Sequence, residues 1–259
     1  MERVHPPTAP ERLEAVEIEV THATVQFGGV RAVDDVTLRH NTGGVLGLIG
    51  PNGAGKTTLL NALAGVTRLR SGSIRLHGTD ITRRAPEQIS RLGVARTFQN
   101  LQVFGSLSVL DNVLVPRWVR RRSHRSGPRD KAAERRAALA VLERVGIAEH
   151  ADRLAGTLAY GLQRRVELAR ALAAEPALLL LDEPLAGLSR VEGARAARLF
   201  TELAEDGITV VLVEHDVSSV LAVSGRIVVL DRGAVLATGT PDEVVADPAV
   251  RHAYLGDSD

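Results

Sequence analysis

Val45-Leu-Gly-Leu-Ile-Gly50-Pro-Asn-Gly-Ala-Gly55-Lys56-Thr57-Thr58 runs from an apolar stretch through a glycine-rich turn into a helical pattern. Val45 to Ile49 reads as a buried strand, and from Thr57 to Ala64 the apolar residues fall at helical spacing, so the sequence predicts strand, turn and helix. That is the setting a phosphate-binding loop requires. Gly50 and Gly55, followed at once by Lys56 and Thr57, match its pattern of two spaced glycines, lysine and a hydroxyl residue. From the chain's own composition the pattern arises by chance about 0.002 times in this length, which sets aside an incidental glycine turn. Glycines let backbone N–H groups turn inward on phosphate oxygens, and the helix adds its positive N-terminus. The candidate binding residues are Asn52, Gly53, Ala54, Gly55, Lys56, Thr57 and Thr58. Lys56 brings a compact, mobile charge to the β- and γ-phosphates, and Thr57 is the expected Mg2+ ligand. The chain has 32 lysines and arginines, yet Lys56 and Lys131 are its only lysines, so lysine at position 56 has a chemical reason.

A second element pairs with the loop. Leu178 to Leu181 is an apolar strand that ends in Asp182, Glu183 and Pro184. Two carboxylates at a strand's carboxyl end are either a capped strand end or a ligand site, because ligands of open α/β sheets bind at that edge. With the phosphate loop upstream the second reading is adopted: Asp182 as metal ligand through water, Glu183 as the group that orients or deprotonates the attacking water.

Around these two elements the composition is that of a folded domain. At 44% hydrophobic and 24% charged residues the 259-residue chain excludes long disorder and collagen. The longest apolar runs, such as Ala177 to Leu181, fall far short of the roughly 18 residues that cross a bilayer. Met1 to Pro10 lacks an apolar export core and the chain has no cysteine, so the expected compartment is the cytoplasm, without disulfides or thiolate sites. A net charge of +1 gives no field that demands nucleic acid as partner.

β-segments are expected at Val16 to Val20, Ala23 to Phe27, Val36 to Arg39, Ala177 to Leu181, Ile208 to Val213, Arg226 to Leu230 and Ala234 to Thr238. Helices are expected at Ala132 to Val145, Gln163 to Ala174, Val191 to Glu205 and Asp216 to Val223. The alternation implies a largely parallel sheet wrapped by helices, with a helical insertion between about residues 100 and 174. Arg117 to Arg136 is strongly basic. It reads either as a solvated loop and helix start or as a surface near anionic lipid, with Trp118 packed against the helical insertion or facing that surface.

Together these motifs resemble the ATP-binding cassette (ABC) ATPases. Arg96-Thr-Phe-Gln99 resembles the family's Q-loop, Leu158-Ala-Tyr-Gly-Leu-Gln163 its signature, Ala186-Gly-Leu-Ser189 its D-loop, and His215 in Val213-Glu-His-Asp216 its switch histidine, all in the family's order. The resemblance implies an α/β P-loop NTPase fold with a mixed, mainly parallel core sheet, an antiparallel β-subdomain and an inserted α-helical subdomain. It runs over residues 15-256 after a flexible leader at 1-14. It assigns Phe27 to stack on adenine, Gln99 to the metal and to coupling, His215 to sensing the γ-phosphate, and Ala159, Tyr160 and Gly161 to the nucleotide across a dimer interface. Arg96 and Phe98 are expected beside Gln99 where the core meets the helical subdomain. Read without the resemblance, Phe27 is a half-buried strand aromatic and His215 an ordinary histidine.

Phe27-Gly-Gly-Val-Arg-Ala-Val33, Ala95-Arg-Thr-Phe-Gln-Asn100 with Val103-Phe104, the Tyr160-Gly161 form of the signature and the tail Ala253-Tyr-Leu-Gly256 are similar to the cassettes of high-affinity branched-chain amino acid importers. Similar cassettes drive urea, amide and lipopolysaccharide transport. The implied function is hydrolysis of ATP with Mg2+ to power solute import. The implied partners are membrane-spanning permease subunits, a second cassette bound head to tail and, indirectly, an extracytoplasmic solute-binding protein; the site of action is the cytoplasmic face of the membrane. The common signature is Leu-Ser-Gly-Gly-Gln, and here Ala159 replaces the serine and Leu162 stands where glutamine often does. Those departures leave room for a low-turnover nucleotide switch. A soluble ABC protein of DNA repair or translation is disfavoured by the single cassette and the lack of a long coiled-coil insertion.

Overall fold

The computed structural model describes residues 16–41, 43–97, 99–123 and 130–255. In chain order the elements are β1 (Ile18–Phe27), β2 (Val30–His40), β3 (Val45–Ile49), α1 (Lys56–Leu63), β4 (Ser71–Leu76), β5 (Thr79–Asp80), α2 (Pro86–Arg91), β6 (Val94–Arg96), α3 (Val109–Ser123) and α4 (Lys131–Val145). They continue with α5 (Tyr160–Ala173), β7 (Leu178–Asp182), α6 (Arg190–Glu205), β8 (Thr209–Val213), α7 (Val217–Val223), β9 (Arg226–Asp231), β10 (Ala234–Gly239), α8 (Pro241–Ala246) and α9 (Pro248–Leu255). The leader at 1-14, Phe98, Arg125, Arg129 and Gly256 lie outside the described residues.

The strands form two sheets. One is a four-stranded antiparallel sheet in the order β2-β1-β4-β5; the other is six-stranded, in the order β10-β9-β3-β8-β7-β6. In the second sheet β9, β3, β8, β7 and β6 run parallel and β10 joins antiparallel at one edge. The central strands are buried on both faces, so their side chains alternate between two apolar cores. Val45, Leu179, Leu181, Val210, Leu212, Ile227 and Val229 enter the core shared with α3, α4, α5 and α6. Leu46, Leu48, Leu178, Leu180, Val211, Val213 and Val228 enter the opposite core, shared with α1 and the antiparallel sheet. Each such leucine or valine, fully buried, contributes about 1.5–3 kcal/mol.

The structure revises several expected boundaries. The segments expected at Val16 to Val20 and Ala23 to Phe27 merge into one strand, β1, which begins at Ile18 and whose register shifts where His22 takes a left-handed conformation at φ +49°. The segment expected from Val36 begins at Val30, as the second arm of the same hairpin. The basic run is not a free surface at its start. Arg117 and Trp118 lie on α3, where Arg117 bonds Glu134 of α4 at 2.7 Å and Glu175 after α5 at 3.1 Å, and Arg120 also bonds Glu175. Trp118 packs against the helical core. Arginines that look solvated in sequence here join α3 to α4 and to the segment after α5.

Candidate functional site

Parallel strands deliver the chemistry-bearing residues to one edge. β3 ends in the loop that begins at Gly50, β8 in Glu214 and His215, β7 in Asp182 and Glu183, and β6 leads to Gln99. Carboxyl ends of neighbouring parallel strands are where such sheets bind ligands.

The loop's glycines are required by close approach. A Cβ on Gly50 would lie 2.1 Å from the Leu230 carbonyl oxygen, and one on Gly55 2.2 Å from that of Ala32. Gly55, at φ +98°, caps α1, so the loop turns directly into the helix N-terminus. Lys56 is buried and its Nζ donates to the carbonyls of Gly50 at 2.7 Å and Pro51 at 2.9 Å, drawing the loop into a ring. Burial lowers the Lys56 pKa, while the carboxylates of Glu183 and Asp182 act against that shift.

Asp182 is fully buried. Its Oδ1 accepts the Thr57 hydroxyl at 3.2 Å and its Oδ2 lies 3.1 Å from Arg96 Nη2. Burial raises its pKa, and Arg96 and the Thr57 bond oppose the shift. A hydroxyl and a carboxylate side by side are hard oxygen donors that fit a magnesium ion, which takes one or two protein ligands and fills its shell with water and phosphate. Among the described residues no group of three or more His, Cys, Asp or Glu side chains is placed to hold a metal ion by itself.

Glu183 follows at φ +50°, a left-handed turn that costs a non-glycine residue about 1–3 kcal/mol. Its N–H donates to the Val213 carbonyl at 2.9 Å, which fastens the ends of β7 and β8 together. His215 Nε2 lies 2.7 Å from Glu183 Oε1, and Gln99 Nε2 donates to both carboxylate oxygens at 3.4 and 3.3 Å. The structure therefore brings Lys56, Thr57, Asp182, Glu183, Gln99 and His215 into one constellation.

Phe27 stands apart from it, 55% exposed at the end of β1 rather than half-buried, on the hairpin whose Ala32 touches Gly55. Ala159, Tyr160 and Gly161 sit at the start of α5. Among the described residues no hydrogen bond or ion pair joins them to loop 50–58. Ala159 is the N-cap of α5 and supplies no side-chain acceptor.

Arg96 has a partner that the sequence does not indicate. It sits on β6, lining the groove between the core and the helical region as expected, and its guanidinium also bonds Asp182 and Asn61. Removing one partner of a buried ion pair leaves the other uncompensated and typically costs about 3–5 kcal/mol. Arg96→Met is expected to lose stability of that order in urea unfolding, and Arg96→Lys less. Unchanged unfolding in Arg96→Met would show that Asp182 does not depend on it.

Sequence reading also misses Arg164, Glu167 and Glu214. Glu214 is buried and accepts the Leu185 N–H at 2.6 Å, holding the segment after Glu183. Arg164 and Glu167 are charged residues three apart on the buried side of α5, and that placement on an apolar face is the signal that could have found them.

The ABC transporter family model matches residues 33–186, and a model described as branched-chain amino acid ATP-binding cassette transporter matches 234–259. The chain is 42% identical over 256 residues to the high-affinity branched-chain amino acid transport ATP-binding protein BraF of Pseudomonas aeruginosa, covering 93% of this chain and 98% of that one. It is 35% identical over 231 residues to the lipopolysaccharide export system ATP-binding protein LptB of Escherichia coli K12, covering 89% and 93%. The ADP conformation of the cassette MJ1267 superposes with a TM-score of 0.82 at 29% identity, covering 93% of this chain and 99% of that one. The dimeric bacterial ABC transporter cassette MJ0796 does so with 0.79 at 26%, covering 86% and 98%.

Proposed function

The chain belongs to the ABC transporter family as an ATP-binding cassette, and from that premise we propose that it hydrolyses ATP to power import of branched-chain amino acids. The observation that carries the substrate is the match of the tail, residues 234–259, to branched-chain amino acid cassettes, alongside the higher identity to BraF than to LptB. No described helix is long and apolar enough to cross a membrane. As the likeness to importer ATP-binding proteins supports, the chain acts in this reading on the cytoplasmic face, with membrane-spanning permease subunits and a second cassette.

In this reading the loop from Asn52 to Thr58 wraps the phosphates with its N–H groups, and Lys56 neutralises the β- and γ-oxygens. Thr57 and Asp182 hold magnesium, which when bound supplies positive charge against the phosphates. Glu183 aligns and accepts a proton from the attacking water. His215 and Gln99, both bonded to that carboxylate, orient it and report the γ-phosphate. Phe27 offers its exposed face to adenine. Ala159, Tyr160 and Gly161 meet the partner cassette's nucleotide with backbone N–H groups and the α5 N-terminus, since Ala159 has no hydroxyl to give. The groove between β6 and α3, lined by Ala95, Gln102, Pro116 and Arg170, is the seat assigned to the permease, beside the Gln99 segment.

The test is transport. With its permease in vesicles, the chain should drive ATP-dependent uptake of leucine, isoleucine or valine supplied by the solute-binding protein. A complex that hydrolyses ATP yet moves urea, an amide or lipopolysaccharide in place of these would overturn the substrate assignment and leave the ATPase standing.

A further inference from the structure

Position 160, glycine in the common signature, carries tyrosine here, and the structure gives both parts of its side chain a partner. The ring lies over the D-loop: a Cβ on Gly187 would sit 2.8 Å from Tyr160 Cε1. The hydroxyl accepts Arg164 Nε at 2.9 Å, with the guanidinium carbon 5.3 Å from the ring centre. The same guanidinium donates from Nη2 to the Gln99 carbonyl at 2.6 Å and pairs through Nη1 with Glu167 at 3.2 Å. Glu167 in turn accepts the Gln102 N–H at 3.3 Å. Gln99 reaches Glu183 with its side chain. One bonded line thus runs from the signature to the carboxylate at the end of β7.

Arg164 is suited to transmit displacement. Its side chain is only 6% exposed, so it cannot release one partner to water without leaving a buried charge unpaired. Its planar fork also fixes the angle between its donors, which a flexible ammonium would not.

We propose that Tyr160 and Arg164 are positioning residues that couple the two nucleotide sites of the cassette dimer. This rests on the head-to-tail reading, in which each chain's signature meets the partner's nucleotide while its Glu183 serves its own. Nucleotide arriving against Tyr160 shifts Arg164, and Arg164 carries the Gln99 backbone, and with it the Gln99 amide on Glu183. Occupancy of the partner's site is thereby felt at this chain's catalytic carboxylate.

The experiment measures hydrolysis against ATP concentration for the full chain, for Tyr160→Phe, for Arg164→Lys and for the double variant. The wild type should be sigmoidal with a Hill coefficient of about 2, the ceiling for two sites. Each single variant should fall toward about 1, and the double variant no further, because both changes cut one line. Binding of a fluorescent ATP analogue to the monomer without Mg2+ should stay at the wild-type value in Arg164→Lys, a result that general structural damage would not give. Tyr160→Phe removes a single oxygen and carries the test if Arg164→Lys does not fold. A hyperbolic wild-type curve, or variants that dimerise and keep the wild-type coefficient, would overturn the proposal. Dimerisation is read separately by adding Glu183→Gln in each background. A wild-type background that stays monomeric with Mg-ATP defeats the head-to-tail reading, and the proposal with it.

Discussion

Lys56→Ala is expected to lower kcat/KM for ATP by about 10²–10³-fold or more, the scale seen when one preorganised charge-stabilising donor is removed from a buried site. Two physical effects add. The ammonium is the cation proposed to meet the β- and γ-phosphates, and in that reading alanine leaves their charge to backbone N–H groups and the helix N-terminus alone. Lys56 also bonds Gly50 and Pro51 and so shapes the loop before nucleotide arrives. Hydrogen bonds to a charged group contribute about 1.5–3 kcal/mol, so part of the loss should appear as a lower melting temperature. Lys56→Arg separates the two effects. It keeps the charge, but a planar guanidinium does not fit a buried ring shaped for a point donor, so activity should stay low. Steady-state phosphate release by purified, folded protein is the measurement. Near wild-type turnover in Lys56→Ala would refute the loop as the nucleotide site.

Glu183→Gln should leave ATP bound and unhydrolysed. Glutamine has the shape of glutamate and can still accept from His215 at the position of Oε1, while the Gln99 amide can turn to present its oxygen to the new NH2 group. The constellation therefore survives, but the carboxylate proposed to accept the proton from water is gone. Loss of a positioned general base typically costs about 10²–10⁴-fold in rate. With hydrolysis blocked, the closed dimer should accumulate, so size-exclusion chromatography in Mg-ATP should show a species of twice the monomer mass. A variant that binds ATP and still turns over at the wild-type rate would remove Glu183 from the mechanism. Gln99→Ala offers a contrast: it takes one bond from Glu183 and leaves the carboxylate.

Both predictions concern residues readable without coordinates, because a phosphate loop and an acid-ended strand are local. Each is a handful of consecutive residues whose backbone turn, apolar run or hydroxyl is written in order. The same holds for the central strands, where leucine and valine runs between turns signal burial on both faces. Short or irregular elements were not readable. β4, β5, α2 and β6 hold few residues and lack a full hydrophobic period, and α3 contains Pro116 and a run of arginines that argue against a helix. Tertiary packing forms them where local propensity does not.

Identity of the loop, the acidic pair and the order of motifs was thus determined by sequence, since each depends on neighbours along the chain. Three-dimensional structure alone decided what those residues face. Arg96 pairs with Asp182, Arg117 holds Glu134 and Glu175 instead of solvent, and Arg164 spans Tyr160 and Gln99. An arginine's partner is whichever acceptor the folded chain brings within reach of a long side chain. Gln99 and Arg164 lie 65 residues apart, and Arg96 and Asp182 lie 86 apart. No local pattern records such pairings, because burial makes them obligatory only after the strands and helices have packed.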